Sequence, residues 1–201
     1  MWLFSCKFNK EKGFTLIEIL VALAVSGFFL VALISFFIST NKLNTVYEKV
    51  AGVQQDIRAV MEMMSRDIMM AGLDPTGGAN AGFNNDETSE NSISFKYSYE
   101  TKGSCDYNLT YWFDSVEGTI KFKDRLDQNP EFKAITEKGS IDSVVFKYLL
   151  KNKIPRTNEP LNKTRMVTIK ICGKITGAYK EEFDNTYCFE NEIYLRNMVN
   201  K

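Results

Sequence analysis

At 201 residues and 23.0 kDa the chain can build one domain with a core and an appendage, not several domains. Its 44% apolar and 25% charged residues exclude disordered and collagen-like classes, and 25 basic against 25 acidic residues leave no bulk charge to draw it onto nucleic acid. The absence of histidine removes every Ser-His-Asp and Cys-His catalytic arrangement and every histidine-containing metal site.

The chain opens with a short leader that sets Lys7, Lys10 and Lys12 against Glu11. From Ile19 to Ile38 follow 20 residues without a charge, and Phe14 to Leu16 extend the apolar run backwards past Glu18. A helix of that length covers roughly 30 Å, the thickness of a bilayer's hydrocarbon core. The basic leader places the N-terminus in the cytoplasm and the residues after Thr40 outside. A secretory signal cut after Ala22-Leu23-Ala24 fits poorly, because a carboxylate would sit inside the apolar region and 14 uncharged residues would follow the cut. A plain uncleaved anchor explains everything except Glu18, whose exposure to lipid costs about 2.5–3.5 kcal/mol. An isolated carboxylate there calls for a partner.

The string Gly13-Phe14-Thr15-Leu16-Ile17-Glu18 resembles the processing site of type IV prepilins and type II secretion pseudopilins. The resemblance implies that a dedicated inner-membrane peptidase, prepilin peptidase, cuts after Gly13 and methylates the new amine on Phe14. Residues 1–13 are then a removed leader and residues 14–38 a retained transmembrane segment, with the head first periplasmic and later on a pilus at the cell surface. The amine of Phe14 and the carboxylate of Glu18 lie four residues apart on one helix face. In a helical stack of such subunits, Glu18 of an incoming chain pairs with the Phe14 amine of a neighbour. A buried pair adds little net stability but is expensive to break, so it serves register and recruitment.

Beyond Ser39 the apolar residues Leu43, Val46, Val50, Val53, Ile57, Val60, Met64 and Ile68 recur at helical spacing, which predicts an amphipathic helix over residues 39–73. Asp56, Arg58, Glu62, Arg66 and Asp67 lie mostly off that stripe. No proline precedes Pro75, so one helix of nearly 60 residues is expected, with Gly27 and Gly52 as points of bending and a stop near Gly72. Residues 74–92 read as a loop rich in Gly, Asn, Ser and Asp. Strands are expected at Ile93–Tyr99, Tyr107–Phe113 and Thr119–Lys123, the last two joined by a turn at Glu117-Gly118. Further strands are expected at Ile141–Leu150, Met166–Cys172 and Asn191–Met198, with a polar loop at Lys151–Thr164. A long N-terminal helix packed on an antiparallel sheet over residues 74–201 is an α+β architecture, and the resemblance makes it a type IV pilin fold.

Ser65-Arg66-Asp67-Ile68-Met69-Met70-Ala71-Gly72-Leu73-Asp74-Pro75-Thr76-Gly77 resembles the helix end of PilW-type minor pilins, departing from that pattern at Met69 and Leu73. Tyr194-Leu195-Arg196-Asn197 and Ile141-Asp142-Ser143-Val144 are similar to that family's last and middle strands. J-type minor pseudopilins of type II secretion share the layout. The resemblance implies a minor pilin that primes type IV pilus assembly, with other minor and major pilins as partners; the alternatives are a type II secretion minor pseudopilin and an adhesive or DNA-capturing tip subunit.

Cys6 lies in the leader, and Cys105, Cys172 and Cys188 lie in the part placed outside, where disulfides form. Cys172 and Cys188 end two strand segments joined by 15 residues and are the preferred pair, with a Cys105 pairing as the rival. Asn84, Asn85, Asp86, Glu87 and Glu90 are clustered oxygen ligands for calcium, but their spacing is not an EF-hand and a polar surface loop accounts for them better. Lys147, Lys151, Lys153, Arg156, Lys163 and Arg165 surround Glu159 alone; this is read as a solvated loop before a DNA contact. Tyr97, Tyr99, Tyr107, Tyr111 and Trp112 could stack on carbohydrate, but on strands aromatic residues usually pack into the sheet's own core. No nucleophile elbow, Walker loop or dinucleotide fingerprint occurs, so neither an enzyme nor a cofactor nor a metal is implied.

Overall fold

The computed structural model describes residues 13–75, 77, 81–99, 107–124, 130–150, 161–175 and 186–198. The chain divides into two compact units, one ending at Tyr47 and one beginning at Glu48. A single helix, α1 (Leu16–Met69, 54 residues), supplies the first unit and the start of the second. Gly27 and Gly52 both lie inside it without interrupting it.

In the first unit the large apolar side chains from Phe14 to Ile38 are all at least 51% exposed. Nothing among the described residues covers them, and this stretch is long and apolar enough to cross a membrane. Ser26 donates to the Leu23 carbonyl at 3.0 Å and, just beyond the stretch, Thr40 donates to the Phe36 carbonyl at 2.9 Å. Both hydroxyls are thereby satisfied by their own helix, as an apolar solvent requires.

In the second unit the remainder of α1 buries one stripe. Ile57, Met64 and Ile68 are fully buried and Val60 nearly so. They join a single core with side chains from two antiparallel sheets. The first contains β1 (Gly82–Phe83), β2 (Ser92–Tyr97), β3 (Tyr107–Asp114), β4 (Thr119–Asp124) and β5 (Lys133–Ala134) in that order. The second contains β6 (Ile141–Leu149), β7 (Met166–Gly173) and β8 (Tyr187–Tyr194). The architecture is therefore α+β, with a long N-terminal helix and antiparallel sheets.

Sequence and structure differ in detail. One sheet was expected and two form. The strand expected over Asn191–Met198 is displaced to Tyr187–Tyr194, so Leu195, Arg196 and Asn197 follow it. Burial at Ile193, Leu195 and Met198 explains the displacement: the apolar spacing continues beyond the end of the ladder. Within the expected loop 74–92, β1 and a short 3-10 turn at Asn85–Glu87 form, too brief for any periodicity to register.

Alternation sorts each strand of the first sheet onto two faces. Ile93 opposes Tyr111, which opposes Phe122, and these face the core. Ser92 opposes Trp112, which opposes Lys121, on the other face. The β3–β4 turn is held by Asp114, whose carboxylate accepts from the amides of Val116 at 3.0 Å and Glu117 at 3.2 Å, while Gly118 takes the left-handed φ of 61°. Lys121 reaches both Asp114 and Glu117 at 2.7 Å. Its hydrogen bonds hold both carboxyls below their ordinary range and raise its own ammonium.

Helix and sheets are joined by specific polar contacts. Asp67, placed mostly off the apolar stripe by its spacing, accepts a 2.5 Å hydrogen bond from the Tyr111 hydroxyl on β3. Asn191 on β8 donates to Ser65 at 2.8 Å. After Met69 the chain turns through Gly72 at φ 78°, where an added Cβ would lie 2.6 Å from the Met198 sulfur. The Gly72 amide then donates to the Lys96 carbonyl, and the Ser98 amide to the Leu73 carbonyl. A second close approach occurs at Gly173 on β7, where a Cβ would meet Ile57 at 2.6 Å.

Cys172 and Cys188 are directly opposite in the β7–β8 register, with Cα atoms 4.0 Å apart, and a disulfide joins them. Cys105 and Cys6 lie outside the described residues.

Two predictions follow from these contacts. Burial pushes the Asp67 carboxyl above its ordinary value of 3.8, outweighing the opposing hydrogen bond from Tyr111 and the charge of Arg66. Its proton is therefore bound more tightly folded than unfolded, and its stabilising effect is complete below 3.8 and fades as pH rises through the folded value. In urea unfolding of fragment 39–201, Asp67→Asn should gain on the wild type as pH rises from about 4 towards neutrality, while Tyr111→Phe should cost about 1–3 kcal/mol. Reduction of the disulfide should lower stability by about 3 kcal/mol. Non-reducing peptide mapping should recover Cys172 linked to Cys188, and Cys105→Ser should leave both results unchanged.

Candidate functional site

The N-terminal end of α1 gathers the processing and assembly residues singled out by the sequence. Gly13 and Phe14 precede the helix, with Phe14 85% exposed and no described atom within 4 Å of a Cβ built on Gly13. Among the described residues nothing crowds this glycine.

Glu18 is not isolated. Thr15 caps the helix and Glu18 reaches back to it from three residues on. The Thr15 amide donates to Glu18 Oε2 at 2.8 Å, the Thr15 hydroxyl donates to the same oxygen at 2.9 Å, and the Glu18 amide donates to Thr15 Oγ1 at 3.3 Å. This reciprocal arrangement is a capping box, and it satisfies amides that the first helical turn leaves without partners. The carboxylate that stands isolated in the sequence has a hydrogen-bonding partner in Thr15. The T-x-x-E spacing was legible in the sequence, and reading the carboxylate only as a charge in lipid passed over it. A carboxylate beside the positive end of the helix dipole is favourably placed as well.

The other candidate clusters resolve separately. Glu87 and Asn84 are tied into the first sheet: Glu87 Oε2 accepts from Ser94 at 3.1 Å, and the Asn84 amide donates to Ser94 at 2.7 Å and Asn108 at 3.0 Å. Among the described residues no three Cys, Asp or Glu side chains are grouped to hold a metal ion. Of the basic cluster, Lys147, Lys163 and Arg165 are described; Arg165 donates to the Met198 carbonyl and so braces the turn that follows β8. Lys151, Lys153, Arg156 and Glu159 lie outside the described residues. Among the aromatic residues, Tyr97 and Tyr111 are buried in the core, and burial raises both phenols. Tyr99, Tyr107 and Trp112 remain partly exposed, with Tyr107 stacked on Tyr97 at 4.6 Å between centroids.

Comparison with known proteins bears on the N-terminal segment. The prokaryotic N-terminal methylation motif matches residues 8–34, a span that includes Gly13, Phe14, Thr15 and Glu18. The chain is similar to the pilin-like protein PilA3 of Thermus thermophilus, with 36% identity over 62 residues, which are 31% of this chain and 27% of that relative. The chain thus spans about a quarter of the length of that curated relative. No solved structure matches the chain significantly. The chain carries a prepilin-type methylation motif on a membrane-compatible helix, and motif and relative together support a type IV pilin-like subunit.

Proposed function

We propose that this protein is a minor pilin, a structural subunit that is cut after Gly13, methylated on Phe14 and inserted at the start of type IV pilus assembly. The observation that carries this reading is the methylation motif at the head of one uninterrupted 54-residue helix. Processing on the cytoplasmic side of the apolar run leaves that run in the mature chain, so the product keeps its membrane segment. Prepilin peptidase and other pilins are then its partners, and its role is structural rather than enzymatic. The minor, PilW-type assignment rests on Ser65–Gly77, whose Asp67 and Gly72 tie the helix end to the first sheet and the last turn.

Glu18 has two tasks in this scheme. In the single subunit it caps the helix through Thr15. In the assembly its charge meets the methylated amine of a neighbouring Phe14. The two tasks make different demands, since a capping box accepts Gln in place of Glu but an ion pair does not.

Mass spectrometry of the mature protein should find a chain that begins at Phe14 and carries one additional methyl on its amine. A bulky residue in place of Gly13 should leave the precursor uncut. A start at Val25, or an intact Met1, would refute the assignment. Glu18→Gln should still be processed and should keep its helix start, because the amide still accepts from Thr15. It should nevertheless be lost from complexes with other minor pilins in co-purification. Co-purification with secretion components instead of pilus components would move the protein to the pseudopilins.

A further inference from the structure

The outer strand of a sheet turns a row of amides and carbonyls away from its neighbour, ready to pair with another chain. The first sheet ends on both sides in two-residue strands, β1 and β5. The β6 edge of the second sheet is bridged: the Phe146 amide donates to the Glu90 carbonyl at 2.8 Å, and the Tyr148 hydroxyl to the Ser89 carbonyl at 3.0 Å. The other edge is β8, eight residues long, paired with β7 without a register shift and free of proline and lysine.

The register shows which groups face outward. The Cα atoms of Cys172 and Cys188 are 4.0 Å apart, which marks a non-hydrogen-bonded pair, and the Leu195 amide donates across to the Arg165 carbonyl. Both observations turn the backbone groups of Phe189, Asn191 and Ile193 toward β7 and those of Cys188 and Glu190 away from it. Among the described residues nothing hydrogen-bonds to the outward amides and carbonyls of Cys188 and Glu190, and both residues are exposed.

Beside this edge runs a groove of about 320 Å³, lined from α1 by Arg58, Met61 and Glu62 and from β8 by Phe189, Glu190 and Asn191. Arg58 stacks over the Phe189 ring at 5.2 Å, and Asn191 is tied to Ser65 at 2.8 Å, so the groove is held in shape. The side chains decide between occupants. A second copy pairing antiparallel about Glu190 would set that carboxylate against its own twin, which destabilises a ladder. Lys170 stands opposite Glu190 on β7, and among the described residues neither closes an ion pair. A strand with a basic residue opposite Glu190 instead continues a row of alternating charge. Alternation then directs its neighbouring side chains at the groove, where Met61 and Phe189 favour apolar ones.

We propose that the open edge of β8 accepts an extended segment of another protein as a fourth strand, with a basic side chain opposite Glu190 and apolar ones seated against Met61 and Phe189. This goes beyond the assembly role and does not depend on it, because edge and groove lie wholly in the second unit.

Full-length protein in a nonionic detergent would be titrated into a fluorescein-labelled peptide of alternating lysine and valine, and into its glutamate–valine counterpart, following anisotropy. The lysine–valine peptide should bind saturably and the glutamate–valine peptide should not. Methylating alternate backbone nitrogens of the peptide should abolish binding for one alternate set and spare it for the other, since only one set faces β8. Glu190→Pro should weaken binding about tenfold or more, because it removes an outward donor and no β7–β8 bond. Glu190→Gln, which keeps that donor, should weaken it about threefold. The methylated peptides test the same pairing on the unaltered protein. No saturable binding, equal binding of the two peptides, or the same response to both methylated sets overturns the proposal, as does undiminished binding by Glu190→Pro. Concentration-dependent dimers in sedimentation that Glu190→Pro dissolves, without peptide binding, overturn it too and make β8 a contact between copies of this chain.

Discussion

One helix has to satisfy two solvents. From Ile19 to Ile38 every large side chain is apolar and exposed, which is stable only where the surroundings are apolar. Over its second half only a stripe is apolar, and that stripe is the spine of a water-soluble core. Because α1 runs without a break from Leu16 to Met69, neither half can shift along the sequence without carrying the other with it. The capping box at Thr15 and Glu18 sets where the helix begins, and Gly72 sets where the turn after it leaves.

The head depends on how the second half of α1 is held. Apolar burial supplies most of the driving force but is indifferent to register. The polar contacts discriminate: Asp67 with Tyr111 on the first sheet and Asn191 with Ser65 on the second fix the rotation of the helix against both. A half-buried carboxylate is a costly way to achieve this, and the upward push on Asp67 is the signature of that cost. The close approach at Gly173 has the same effect by exclusion, since any side chain there would displace Ile57.

Glu18 shows how a local explanation can be passed over. A single carboxylate in an apolar run is conspicuous as a charge. Its capping role follows from Thr15, three residues earlier, and needs only the geometry of the first helical turn. The aromatic strands are a parallel case. Spacing marked Tyr97, Tyr99, Tyr107, Tyr111 and Trp112 as one group, whereas the pleat sends Tyr111 into the core and Trp112 to the opposite face.

The sequence by itself determined the membrane-compatible run, the N-terminal methylation motif, the amphipathic stripe through Ile68, the helix stop near Gly72 and the α+β class. These are local or periodic properties, decided within a few turns of helix or one length of strand. Only the tertiary structure decided that the strands divide into two sheets, that Cys172 faces Cys188 across one ladder, that Asp67 is turned inward to Tyr111, and that Met61 and Phe189 line one groove. Each of those depends on strand order, register or the packing of segments distant in sequence, and the pairing of distant strands leaves no periodic mark on the chain.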